Sequence, residues 1–338
     1  MVVVLCIGKT GNLIGYSRNK AITTNNTLII VRHLTPTAKK LYNLKIISFL
    51  FFVISINLLH SQTINGVVKD SVTGETIAFS NIVLKNGKGT YSSESGIFQL
   101  ELKNIKTDTL RVSTLGYHSK ILTGIDFKNP SKLEVLLKPK IESLDEVLIA
   151  STKIKYNNKI ILGERKEGNI SVTSLIGYET ALFIDNPKKI KGQLNRIYID
   201  LKNRRDAEYI ATFNIKFYNI DTVTNKPGKE LYSKNFYVKP KNKNYRLWVN
   251  VKDLKMPFPE NGMYVGVEMV NTYGKVKKYA YFGPQYRYTI NENNKPLTWS
   301  NYHNSGWKTG SIDYKNKKKM KEEILNPMFG IEVLFPKK

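Results

Sequence analysis

From Ile170 onward, apolar side chains recur at every second position, and that period excludes most architectures before any motif is weighed. Ile197, Ile199 and Leu201 project to one face. So do Phe213, Ile215 and Phe217; Leu247, Val249 and Val251; Met263, Val265, Val267 and Met269; and Phe329, Ile331, Val333 and Phe335. Successive residues of an extended chain point to opposite sides, so this alternation marks half-buried strands, most of them with a more polar opposite face. Asn225-Lys226-Pro227-Gly228 and Pro257-Phe258-Pro259-Glu260-Asn261-Gly262 supply turns between them. No helix-length amphipathic pattern competes. The expected fold class is all-β, with residues 170–338 forming an antiparallel β-sandwich of jelly-roll type.

The same period, broken by turn residues, runs through residues 63–150. Val67 and Val68 open a strand, and Asp70-Ser71-Val72-Thr73-Gly74-Glu75 turns the chain. Ile77 to Leu84 alternates, Asn86-Gly87-Lys88-Gly89 turns again, and Ser92 to Gly96 leads into Ile97-Phe98-Gln99-Leu100-Glu101-Leu102. Thr109 to Ser113 then reaches Gly116-Tyr117, and Leu133-Glu134-Val135-Leu136-Leu137 closes the set. Short strands at this spacing favour a small β-sandwich.

The succession Ile64-Asn65-Gly66-Val67-Val68, Asp70, Thr73-Gly74-Glu75, Ile77, Asn81-Ile82, Thr90, Glu94, Gly96-Ile97-Phe98 and Val112-Ser113-Thr114-Leu115-Gly116-Tyr117 resembles the carboxypeptidase regulatory-like domain. The resemblance implies a transthyretin-like seven-stranded sandwich of the kind common at the front of TonB-dependent receptors and other envelope proteins of Bacteroidetes. It implies no peptidase activity, because this module accompanies peptidases without being one. Leu144-Asp145-Glu146-Val147-Leu148-Ile149 is similar to the segment that follows the module in the receptors, where a plug and a long barrel come next. Here the remaining chain is too short for such a barrel, so the segment reads as an edge strand plus linker or as a docking box for a periplasmic partner. Residues 151–169 are rich in Lys and Asn without a period, which suits a linker or a first irregular strand.

Ahead of these strands, Lys39, Lys40 and Lys45 lead into the apolar run Ile46 to Leu59, which ends at His60-Ser61-Gln62. A basic flank, an apolar run shorter than the roughly 20 residues of a membrane span, and a small residue at its exit make a secretory signal over residues 39–62. An uncleaved anchor would place the rest of the chain outside as well. Residues 1–38 read as a leader from a start assigned too far upstream, and they hold Cys6, the single cysteine. Processing after residue 62 would leave neither a disulfide nor a lipid-modified cysteine.

The net charge is +26; seven basic residues and no acid lie before residue 63, which leaves +19 (26 − 7). Such a charge attracts polyanions, yet the lysines are scattered along strand-like segments, and an exported chain rarely meets nucleic acid. An AT-rich genome is the favoured explanation. The cluster Lys315, Lys317, Lys318, Lys319 and Lys321, beside Glu322 and Glu323, reads as a solvated face in a loop.

No catalytic constellation emerges. A zinc peptidase needs two His ligands, an acidic ligand and a Glu base, and only His118 and His303 follow the signal, with no H-x-x-E pair. His118 reads as an exposed turn residue. Nucleophile schemes lack a matched base. Carboxylate-pair hydrolysis asks only for two acids brought together by folding; Glu179, Asp185, Glu260 and Glu268 are available, with surface positions favoured for all four. The stretch from Tyr279 to Trp307 is the best candidate for a ligand face. Trp299, Tyr302, His303 and Trp307 there stand among Asn, Ser and Gln, a mixture that stacks on sugar rings and hydrogen-bonds their hydroxyls, although core packing is the more frequent use of aromatics.

These features lead to an exported protein of the periplasm, outer membrane or cell surface with a non-catalytic binding or scaffolding role. The partner expected is a glycan or an outer-membrane protein, with no nucleic acid, metal or cofactor. The alternative is a carboxylate-dependent polysaccharide hydrolase.

Overall fold

A computed structural model describes residues 3–7, 20–24, 27–32, 62–102, 108–127, 132–140, 156–166, 168, 170–173, 175–273, 280–291, 293–316 and 321–336. The chain divides into two compact units, Met1–Ser61 and Gln62–Lys338. In the first, Val3–Ile7, Thr27–Arg32 and Lys20–Thr24 form a three-stranded antiparallel sheet in that order. No element was expected there. Short runs of β-branched residues such as Val3-Val4 and Ile29-Ile30-Val31 supply the propensity. The expected signal peptide lies outside the described residues apart from Gln62. Among the described residues, no helix is long and apolar enough to cross a membrane.

The second unit is all-β, as its period requires. Its N-terminal part is a seven-stranded sandwich. One sheet runs Leu133–Leu137, Gln62–Asp70, Ile97–Leu102; the other runs Gly89–Tyr91, Asn81–Leu84, Leu110–Ser113, Lys120–Leu122. Ile64, Val68, Phe98, Val135 and Leu137 from the first sheet meet Ile82, Leu84, Leu110 and Val112 from the second in one core. Gly66 sits where a Cβ would press on the Phe98 ring and the Leu133 carbonyl, so the close strand pairing requires glycine.

The C-terminal part stacks a nine-stranded sheet on a seven-stranded one. The first is built on Gly192–Lys202, Phe329–Pro336 and Gln285–Ile290, the second on Thr212–Ile220, Met263–Val270 and Tyr178–Ile184. All five apolar stripes face the core between them. Within the stretch expected to be a linker or a first irregular strand, Tyr156–Gly163 is a strand that pairs antiparallel with Phe329–Pro336 at the sheet edge. A register shift between Tyr156 and Asn158 and the polar run Asn157-Asn158-Lys159 conceal the period there, while Ile160 and Leu162 pack on the core. The segment Leu144 to Ile149 lies outside the described residues. Lys315 and Lys321, expected in a loop, stand on paired strands, Ile312–Asn316 and Lys321–Pro327.

Candidate functional site

Phe213, Ile215 and Phe217 fill the core, so the intervening Asn214, Lys216 and Tyr218 must leave by the opposite face of the seven-stranded sheet. The same alternation turns Tyr264, Gly266 and Glu268 outward from Met263–Val270, and Glu179 and Ala181 outward from Tyr178–Ile184. Register then sets Glu179 directly opposite Glu268, with Asn214 opposite Glu268 on the other side. Like charges in that position repel. Lys216 resolves the conflict: its Nζ lies 3.0 Å from Glu179 Oε2 and 3.0 Å from Glu268 Oε2. Its cross-strand neighbour is Gly266, where any Cβ would collide with the Glu179 carboxylate, so glycine clears the path of the ion pair.

Around these charges the outer face is buried. Glu179, Lys216 and Glu268 retain only 2, 6 and 6 % of their surface, because the N-terminal sandwich covers them. Tyr91 from that sandwich donates its hydroxyl to Glu268 Oε1 at 2.7 Å, while Tyr218 donates to Glu179 Oε1 at 2.7 Å. Asn214 Nδ2 adds a bond of 3.4 Å to Glu268 Oε2. Around this centre, Arg111 Nη2 donates to the carbonyls of His303 and Asn304 at 3.0 and 2.9 Å, and the Phe79 and Tyr237 rings meet edge to face. The imidazole of His303 hydrogen-bonds Asn81 Oδ1 and lies between Tyr91 and Tyr302. An amide oxygen only accepts, so Nδ1 carries the hydrogen.

Burial disfavours every charge at this seam. It raises the Glu179 carboxyl above the usual range, with Lys216 opposing and Glu268 reinforcing. It raises Glu268 less than Lys216 and the Tyr91 and Lys216 hydrogen bonds lower it, so that carboxyl ends below the usual range. Burial likewise depresses Lys216, but the two carboxylates outweigh it and hold the ammonium charged. His303 is pushed down to about 4, chiefly by burial, and stays neutral near pH 7.

The four residues expected to form a ligand face are distributed over two surroundings. Trp299 and Trp307 lie half-buried on the outer face, packed against Ala181, Tyr218 and Tyr264. Lys226 Nζ sits 5.4 Å from the Trp299 ring centre. Tyr302 leans on Tyr178, and His303 is enclosed at the seam with 3 % exposure. For Trp307→Ala we expect a loss of about 1–2 kcal/mol, below the roughly 3–5 kcal/mol of a wholly buried aromatic. Urea denaturation and retention on an insoluble glycan, measured on the same variant, separate the roles. A loss above about 3 kcal/mol would make this ring core, and lost retention at unchanged stability would make it a ligand contact.

Of the four carboxylates available for hydrolysis, Asp185 is exposed beside Lys189 and Glu260 is exposed in its turn. Glu179 and Glu268 depart from the surface expectation because a second sandwich covers them. His118 is exposed as expected. Among the described residues, no group of side chains could hold a metal ion. Sequence reading missed Lys216, Tyr91, Tyr218 and Asn81. The available signal was a lysine at the outward position of a strand whose outward neighbours are Asn and Tyr, facing two glutamates on similar strands.

Residues 64–149 match the model of the CarboxypepD_reg-like domain, the module suggested by the Ile64-to-Tyr117 motif. No curated protein sequence matches the chain. Among solved structures, one similar chain is from Bacteroides uniformis ATCC 8492 and is described as a putative carbohydrate binding protein. It is 11% identical, with 81% of this chain and 98% of that chain covered and a TM-score of 0.18. A DUF3823 family protein from the same organism is 11% identical over 82% of this chain and 100% of that chain, with a TM-score of 0.19. TM-scores of this size do not establish a shared fold.

Proposed function

We propose that this chain is a non-catalytic binding and scaffolding protein of the cell envelope, directed at a glycan or an outer-membrane partner. One observation carries the non-catalytic part. The acids that folding brings together, Glu179 and Glu268, have all four carboxylate oxygens engaged by Lys216, Tyr218, Tyr91 and Asn214. A glycosidase needs one carboxyl free to protonate the leaving oxygen and another facing the sugar or a water. Here both are spent in joining two sandwiches. Export is supported by the basic flank and apolar run of residues 39–62 and by the regulatory-like module behind it.

The test uses the chain purified from the envelope fraction of expressing cells, applied to a glycan array, with each retained glycan then assayed for hydrolysis. Retention without turnover is expected. Release of reducing ends, abolished by Glu268→Gln, would replace this reading with the hydrolase, and recovery of the chain only in the cytoplasm would remove the envelope role.

A further inference from the structure

A cavity of about 140 Å³ opens along the seam between the two sandwiches. Its walls include Asn81, Ser113 and Tyr91 from the N-terminal sandwich and Asn214, Lys216 and Glu268 from the C-terminal one. Among the described residues, the buried polar atoms without a hydrogen-bond partner in the protein include Asn81 Nδ2 and Ser113 Oγ. Asn81 and Ser113 are register partners on adjacent strands, 4 and 7 % exposed, and both line the cavity. Folds rarely leave such groups unpaired, because each loses its hydrogen bonds to bulk water on burial. With Asn81 Oδ1 turned to His303 Nδ1, the edge of the amide that faces the cavity unpaired is its donor edge.

The chemistry of the walls narrows the occupant. Lys216 is paired with both Glu179 and Glu268, and burial opposes adding a further charge beside them. Beside them stand further amides and hydroxyls such as Asn235 and Thr114, the aromatic rings of Phe79, Tyr91 and Tyr117, and one base and one acid of opposite sign, Lys140 and Glu230. Neutral hydrogen-bonding groups beside aromatic faces suit a ring with hydroxyls on its rim and C–H groups on its face.

We propose that the seam cavity binds one neutral sugar ring, the terminal unit of a glycan, through Asn81 Nδ2 and Ser113 Oγ. This rests on the reading of the chain as a binding protein and assigns that binding to the junction of the sandwiches rather than to Trp299 and Trp307. Because Ser113 Oγ has no partner within the protein, its removal weakens binding without weakening the fold.

The experiment measures saturation-transfer NMR and thermal melting of the full chain with the methyl glycosides of glucose, galactose, mannose and N-acetylglucosamine. At least one probe binds. Ser113→Ala weakens it roughly tenfold, the worth of one hydrogen bond, and Ser119→Trp, at an exposed position of the cavity wall, abolishes it. Both variants melt within about 3 °C of the parent, a shift worth less than roughly 1–2 kcal/mol at this size. Binding of no probe, or equal binding by parent and both variants, overturns the proposal, as does a crystal grown with the bound probe that shows only water in the cavity. A chain that still retains a glycan on the array when Ser119→Trp is present keeps the binding function and loses this site. A chain that retains none loses both.

Discussion

Lys216→Met is expected to destabilise the fold by about 3–5 kcal/mol, the cost of leaving buried charge without its partner. Lys216 is the cation shared by Glu179 and Glu268, whose register places them face to face on neighbouring strands. Without it, two carboxylates confront each other beneath the N-terminal sandwich, and neither can be rehydrated without opening the seam. For a chain of this length the loss corresponds to a fall in Tm of about 5–9 °C. The defect should shrink in acid. With Lys216 gone, burial and mutual repulsion raise both folded-state carboxyl pKa values above their unfolded ones, so the folded form binds protons more tightly. Stability of the variant relative to the parent then rises as pH falls through those folded values toward the unfolded value near 4.3. Adding Glu179→Gln and Glu268→Gln should recover most of the loss, because a neutral cluster needs no cation. Urea denaturation of the parent, single and triple variants decides the matter, and a single variant within about 1 kcal/mol of the parent, as for an exposed pair, would show that the triad is not the seam's main tie.

The second large effect is acid destabilisation through His303. Its imidazole is enclosed by Tyr91, Tyr302 and Asn81, faces Glu268, and has Arg111 bound to its own carbonyl. Burial lowers its pKa to about 4 in the fold, with Arg111 adding to the effect and Glu268 opposing it. The unfolded value is near 6.5. The unfolded chain therefore takes up a proton that the folded one refuses, and the stability present above about pH 6.5 is lost as pH falls toward the folded value. The full difference is about 3 kcal/mol. Two other groups move in the same range: Glu268, held low, loses stability in acid, whereas Glu179, held high, gains it. His303→Asn isolates the histidine. Residue 303 has φ of +48°, which Asn tolerates, and the Asn amide can stand in for the Nδ1 donor. The pH dependence of unfolding free energy between about pH 7 and 4.5 should be shallower in this variant than in the parent. Parallel curves would mean that His303 titrates normally and that the seam admits water.

Both predictions concern residues that local pattern alone could not join. The period of two placed Phe213, Ile215 and Phe217 on one side of a strand and, by the same geometry, Lys216 on the other. It also placed Glu268 outward from Met263, Val265, Val267 and Met269. An outward residue in a single sandwich faces water, and among 27 acids nothing local marks Glu179 and Glu268 as buried. The sequence leaves Tyr156–Gly163 open between linker and irregular strand for a different reason: its bulge and its Asn-Asn-Lys run erase the alternation, and pairing with Phe329–Pro336 makes it a strand. The candidate Trp299, Tyr302, His303 and Trp307 were chosen for composition and nearness in sequence. Their fates diverge because the strand Thr298–Tyr302 ends at Tyr302 and His303 turns beneath the other sandwich.

What the amino-acid sequence determined by itself is local: which residues are strands, which side of each is apolar, where glycine must turn the chain, and the regulatory-like module over residues 64–149. Those properties follow from backbone sterics and side-chain alternation over a few residues. Only the tertiary structure decided that the polar side of the seven-stranded sheet is covered. That decision is made by contacts such as Tyr91 with Glu268, separated by 177 positions, and no periodicity within either segment encodes which remote surface will meet it. The same covering turns a row of outward charges into a buried triad and leaves a small polar cavity at the junction, where side chains from two separate folds meet without filling the space between them.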